Sequence, residues 1–532
     1  MNKSLLGLAV LCLISLGLSA VAHAQGANST TKAQNPILWA DVPDIAIIRV
    51  GHTYYMSSTT MHMSPGLPIM KSTDLVNWQI ASYAYETLAD TDELNLKDGK
   101  NDYSKGSWAS SLRYHNGTFY ATTFSLSTGK TYIFSTKNPN KTPWKATSFS
   151  PLFGDHSLFF DDDGRAYMVA GNDGQMRVTE LKSDLTGVKS GGLDQAIIPN
   201  ASKVAPGVVG LPAEGSQFLK INGKYFLCNI TWPKGDMRTE IIHRADKLTG
   251  PYEGKVLFHD RGIAQGGLID TPKGEWYAYL FQDHGAVGRI PYLVPVKWVD
   301  GWPVLGVDGK APETLDIPAS RIGVSGIVTS DDFNRKPGER LLPLAWQWNH
   351  NPDNANWSLS AHPGSLRLTT SRVDPELTQA RNTLTQRTFG PESSATTAID
   401  VSHMKDGDYA GLVAFQKKYG FVGVKKVGDA WSVVMTSARS NKPEELASIP
   451  LTQKTVFLRI DGDFKGRKDK AYFYYSLNGK DWSAIGEPLQ MVYDIPHFMG
   501  YRFGLFNFAT KTAGGFVDFD YMRLSDKIIA VP

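Results

Sequence analysis

Three acidic residues, far apart in the chain, each stand at the head of an apolar run. They are Asp44 in VPDIAIIRV, Asp155 in FGDHSLFF and Glu214 in LPAEGSQFL. Taken singly, each could be a turn carboxylate that caps backbone N–H groups. Asp161, Asp162 and Asp163 are read that way, because they form a hairpin turn. Three acids at matching places in separate repeats suggest chemistry instead. Two carboxyls facing each other across a glycosidic bond can hydrolyse it. One stays ionised and activates water, and the other keeps a proton for the leaving oxygen. A third acid nearby can raise the proton donor by like-charge repulsion. Glu214 lies between Ala213 and Gly215, which leave space around it.

The elements that must position these acids are strands. Helical periodicity is almost absent, and five hairpins recur, with turns at Gly51, Asn116-Gly117, Asp163-Gly164, Asn222-Gly223 and Gly274. Asn-Gly and Asp-Gly between apolar runs are strong hairpin signals. Each hairpin is an apolar strand, a tight turn and an aromatic-bearing strand, followed by a further extended run. A repeat of about 45 to 65 residues fits propeller blades of four strands. The fold class is therefore all-β: a five-bladed β-propeller over 25–305, whose first strands converge on one funnel. An open β-sandwich is the bland alternative. Residues 306–330 show no periodic core pattern and read as a linker. Alternating strands over 331–532 predict a β-sandwich.

The first 24 residues, with Lys3, an apolar run and Ala22-His23-Ala24, read as a secretory signal cleaved after Ala24. The expected location is periplasmic or extracellular. Of two cysteines, Cys12 leaves with the signal and Cys228 stands alone, so no internal disulfide is expected. A net charge of +3 without a basic stripe argues against nucleic acid as a partner. No later run is apolar for long enough to span a bilayer.

The stretch NPILWADVPDIAIIRVGHTYYM resembles the opening motif of glycoside hydrolase family 43. GDHSLFFDDDGRAYMVAG and AEGSQFLKINGKYFL are similar to its second and third motifs, and SWASSLRYHNGTFY and FQDHGAVGRIPYLVPVKW also match. The resemblance covers residues 35 to 305. The later part resembles the concanavalin-like β-sandwich that follows this catalytic domain in β-xylosidases and arabinofuranosidases. The resemblance implies Asp44 as general base, Glu214 as general acid and Asp155 as the modulator of its pKa. Asp41, which precedes the motif's proline, is expected to support them or to shape the turn, with the role of base in place of Asp44 as the alternative. Arg289 matches the arginine that holds a sugar hydroxyl. Trp108 would wall the sugar or pack in the core, and Trp39 and His62 would line the rim or be buried. Where many members carry a histidine before QGG, this chain has Ala264, which puts an ion at the propeller axis in doubt; Gln265 would take a polar role there. Asp332 and Asp520 fall where related sandwiches bind a structural Ca²⁺. No cofactor is expected for the chemistry.

The family acts with inversion, which implies an Asp44–Glu214 carboxyl separation of roughly 6.5–9.5 Å. The implied activity is exo-acting release of terminal pentoses, as an α-L-arabinofuranosidase, a β-D-xylosidase or both. The partner would be an arabinose- or xylose-containing saccharide. In relatives an aromatic from the sandwich reaches the pocket, and Phe498 or a neighbour is placed to do so, with core packing as the alternative. An endo-arabinanase and a non-catalytic carbohydrate-binding propeller are the other readings. The retaining fructan-cleaving enzymes are set aside, because their Asn-Asp-Pro-Asn and Arg-Asp-Pro motifs are absent.

Overall fold

The computed structural model describes residues 31–319, 326–495 and 497–529. The leader and Cys12 lie outside the described residues. Five antiparallel four-stranded sheets form the blades of a propeller. Their inner strands are Ala46–Val50, Ser111–His115, Ser157–Phe160, Val209–Ile221 and Ala264–Asp270, in chain order. Each inner strand turns into its neighbour at one of the five sites read from the sequence. At Asn116-Gly117 and Asn222-Gly223 both turn residues have positive φ, between 48° and 78°, as a two-residue hairpin of the right twist requires. Asp161 accepts from Lys220 and from Tyr225 at 2.7 Å each, so this turn acid has the structural task expected of it.

The ring closes between the first and last blades. Arg49 donates to the carboxylate and backbone carbonyl of Asp270. Ile37 N–H donates to Pro291 O, and Val42 N–H to Arg289 O, at 2.8 and 2.9 Å. The segment 306–330 also takes part, since its strand Thr314–Ala319 pairs antiparallel with Thr31–Gln34.

The C-terminal domain is a sandwich of two eight-stranded antiparallel sheets; the strand Arg502–Ala509 of one is buried at every position, and the first half of Thr455–Asp463 in the other alternates between core and surface. One sheet takes its last strand from the propeller: Met63–Ser64 pairs with Gln347–Asn349. The apolar core is continuous across this seam. Phe226, Ile242 and Leu280 of the propeller join the cluster holding Trp346, Leu412 and Phe503 of the sandwich. Polar bonds reinforce it, among them Tyr83 Oη to Leu344 O at 2.7 Å and Gln347 Nε2 to Pro65 O at 2.7 Å. The two domains therefore act as one support for whatever lies between them.

Candidate active site

The three acids are carried by irregular backbone at the inner ends of blades one, three and four. Asp44 and Asp155 have φ of 53° and 41°, a region L-residues seldom adopt. Glu214 lies in a strand whose register slips on both sides of it. Such bulges bend a strand and re-aim its side chains. Gly215 follows with φ +65°, and a Cβ there would come within 3.0 Å of the Gln265 side chain. Strained backbone of this kind gathers where a site is held in place by its surroundings.

Asp44 is 5% exposed, and its Oδ1 accepts from Arg289 Nη1 at 2.8 Å and from Gln265 Nε2 at 2.9 Å. Burial raises the Asp44 carboxyl above its ordinary value, with Arg289 and Arg238 opposing. Arg289, 2% exposed, is kept charged by Asp44 against the burial that would lower it. Its Nε and Nη2 have no protein partner. The guanidinium lies over the rings of Phe498 and Phe281, 4.7 and 5.4 Å from their centroids.

Asp155 and Glu214 are half-buried and feel each other's charge. Burial raises Asp155 well above the carboxylate range, and Glu214 and Asp44 push it further. Glu214 is raised by burial and by Asp44, against Arg238 and Arg289. Two neighbouring carboxyls of this kind titrate as a pair and hold a proton longer than an isolated carboxyl would. Both members of the pair are raised, by burial and by the neighbouring carboxylates. The backbone ties the two acids together, with Ser216 N–H donating to Asp155 O at 3.0 Å.

Asp41 is a clamp. Its Oδ1 accepts Arg289 N–H at 2.7 Å, its Oδ2 accepts Gly500 N–H at 3.1 Å, and its carbonyl accepts Arg387 Nε at 2.9 Å. One side chain thus joins blades one and five to the sandwich. The sandwich brings Phe498 to the site, packed 5.1 Å from Trp108 and over Arg289. Trp108 is half-buried between Phe498 and Phe124, and its Nε1 has no partner.

Three residues near the acids were not singled out from sequence. Arg238 bears on Glu214 and pairs with Asp283 at 2.8 Å. Tyr493, from the sandwich, lies close enough to Arg289 and Asp44 to feel both charges, and its hydroxyl is buried without a partner. Glu240 accepts Gln265 N–H at 2.6 Å. None sits in a motif or at a turn, so no local signal marked them.

Trp39 and His62 lie in the seam. Trp39 packs edge-on to His284 at 4.8 Å and against Gly390. His62, 1% exposed, sits 4.6–5.0 Å from Tyr103, His350 and His497. It braces the segment that carries Phe498. Asp332 and Asp520 are exposed, and Asp332 caps its own turn by accepting Asn334 N–H. Their neighbours do the structural work. Asp331 takes Arg335 and Trp346, and Asp518 takes Arg367 through two bonds of 2.8 Å. Among the described residues no group of three or more His, Cys, Asp or Glu gathers at Asp332 or Asp520.

Comparison with known proteins agrees with this architecture. The family model described as glycosyl hydrolases family 43 matches residues 33–303. That of the β-xylosidase C-terminal concanavalin A-like domain matches residues 330–525. A β-xylosidase of Formosa agariphila is 30% identical over 92% of this chain and 89% of its own length. A non-reducing end α-L-arabinofuranosidase of Bacteroides ovatus is 30% identical over 76% of each chain. A solved structure described as a bifunctional GH43-CE of Bacteroides eggerthii superposes with a TM-score of 0.92 at 60% identity, over 94% of this chain. This chain spans 64% of the length of that structure. Among the described residues, no helix is long and apolar enough to cross a membrane.

Proposed function

The chain belongs to glycosyl hydrolases family 43, and on that premise we propose that it is an exported, exo-acting, inverting glycosidase releasing terminal pentoses. The substrates proposed are α-L-arabinofuranosides, β-D-xylosides or both, in hemicellulose of the xylan and arabinan type. The relatives named β-xylosidase and α-L-arabinofuranosidase support that choice.

In this reading Asp44 is the base. Arg289 and Gln265 both donate to its Oδ1, which favours the ionised form and fixes its direction. Asp44 takes a proton from a water as that water attacks the anomeric carbon. Glu214 gives its proton to the leaving oxygen, and Asp155 keeps a proton within the pair. The unpaired Nε and Nη2 of Arg289 would satisfy sugar hydroxyls. Phe498 and Trp108 supply an apolar wall on the sandwich side, which favours a pocket for a chain end over an open groove.

The buried Asp44–Arg289–Gln265 cluster, set beside a pair of proton-holding carboxyls, carries the proposal. Release of 4-nitrophenol from the arabinofuranoside and the xyloside tests it. The wild-type chain should cleave at least one. Asp44→Ala should fall about 10²–10⁴-fold in kcat/KM on either, with the fold retained. Wild-type inactivity on both, or full activity of Asp44→Ala, would refute it.

A further inference from the structure

We propose that Glu240, in the third strand of blade four, is a positioning residue that acts on Asp44 through Gln265. The proposal rests on the reading of Asp44 as base. Gln265 is the residue at a bulge. In the pairing of Ala264–Asp270 with Trp276–Asp283, Ala264 faces Phe281 and Gly266 faces Leu280, so Gln265 is skipped. Its φ is 62°. The skip takes its N–H out of the ladder and turns its side chain toward blade one.

Both ends of this residue are fixed from outside its own strand. The N–H donates to Glu240 Oε2 at 2.6 Å, and Nε2 donates to Asp44 Oδ1 at 2.9 Å. Glycines on either side allow it. A Cβ at Gly266 would lie 1.8 Å from Tyr279 O, and one at Gly215 would strike the Gln265 side chain. A left-handed, non-glycine bulge costs about 1–2 kcal/mol and persists only where neighbours over-determine it. Glu240 is the neighbour that holds its amide.

Glu240 is 1% exposed and forms none of the ion pairs found among the described residues. Burial raises its carboxyl well above the ordinary range, with only the Gln265 amide opposing. Its task therefore calls for an acceptor oxygen and not for a negative charge. This separates it from the catalytic acids, whose protonation states must change. It also gives the Ala264 position a physical setting: the polar side chain at this bulge is the amide of Gln265, held from behind by Glu240.

The test compares two substitutions of similar length. Glu240→Gln keeps an acceptor and should retain wild-type kcat. Glu240→Met removes it and should lower kcat about 10²-fold with KM little changed, as expected for a base moved off line. In a Gln265→Ala background, Glu240→Met should have no further effect, because both changes break one linkage. A crystal structure of Glu240→Met should show Gln265 Nε2 withdrawn from Asp44 Oδ1. Gln265 left in place, multiplicative effects, or equal damage by Glu240→Gln would overturn the proposal. The crystallographic readout needs no turnover, so it judges Glu240 even if the assignment of Asp44 fails.

Discussion

If Asp44 is the base, as proposed, its site meets a conflict between burial and charge. A carboxyl removed from water tends to keep its proton, and a base must lose it. Arg289 and Gln265 answer this with two donors on one oxygen. In the proposed mechanism Glu214 has the opposite task, and burial beside Asp44 serves it. The two acids should fail differently. Glu214→Ala should lose about 10²–10⁴-fold on glycosides with poor leaving groups, and far less on activated aryl glycosides, since only the former need protonation. Parallel kinetics on a 4-nitrophenyl glycoside and a pentose disaccharide would show the difference, and equal losses would remove Glu214 from the role of acid. Asp44, Asp155 and Glu214 stand out as candidates in the sequence because each precedes an apolar run in a repeat; in the structure Glu214 lies within its strand, Val209–Ile221. Arg238, Tyr493 and Glu240 do not, because Arg238 and Glu240 lie just before and at the start of the strand Thr239–Ala245 and Tyr493 comes from the second domain, so they meet the site only in three dimensions.

The blades show where pattern reading works and where it stops. Alternation and Asn-Gly turns give the hairpins, because these obey local rules. The bulges at Glu214 and Gln265 obey no such rule: they exist because blade four packs its glycine against blade five's glutamine. Gly215 is the residue on which that contact turns. Gly215→Ala places a Cβ at φ +65° and within 3.0 Å of Gln265. It should cost about 1–2 kcal/mol in stability and also lower kcat, because Gln265 must move off Asp44. Thermal unfolding and steady-state kinetics would check both; a loss of stability without a loss of kcat would uncouple the bulge from the site. The strand Thr314–Ala319 was equally hidden, since its partner Thr31–Gln34 lies nearly the whole propeller away in sequence.

The molecule as a whole is held by its seam, and the seam should be sensitive to acid. His62 of the propeller meets His350 and His497 of the sandwich. His350 Nε2 accepts Asp102 N–H at 2.9 Å, so it is neutral. Burial lowers all three, His497 to about 3, and Arg502, Lys417 and Arg381 nearby add to this. The unfolded chain takes up protons at these sites below about pH 6.5, and the folded chain does not. Stability from the cluster is therefore complete above pH 6.5 and erodes as pH falls, by up to about 1.4 kcal/mol per site per unit. His62→Gln should flatten the decline of Tm between pH 6.5 and 4.5 relative to wild type. Identical slopes would show that the cluster does not govern the seam. The two-domain order was legible from strand patterning, and the family resemblance pointed to Phe498, but the sharing of Met63–Ser64 depends on how two finished domains meet.

The most direct test follows the anomeric proton by NMR during the first turnovers of a pentoside. Water activated by Asp44 and a leaving group protonated by Glu214 yield the sugar with inverted configuration. A first-formed product that keeps the starting configuration would contradict this account.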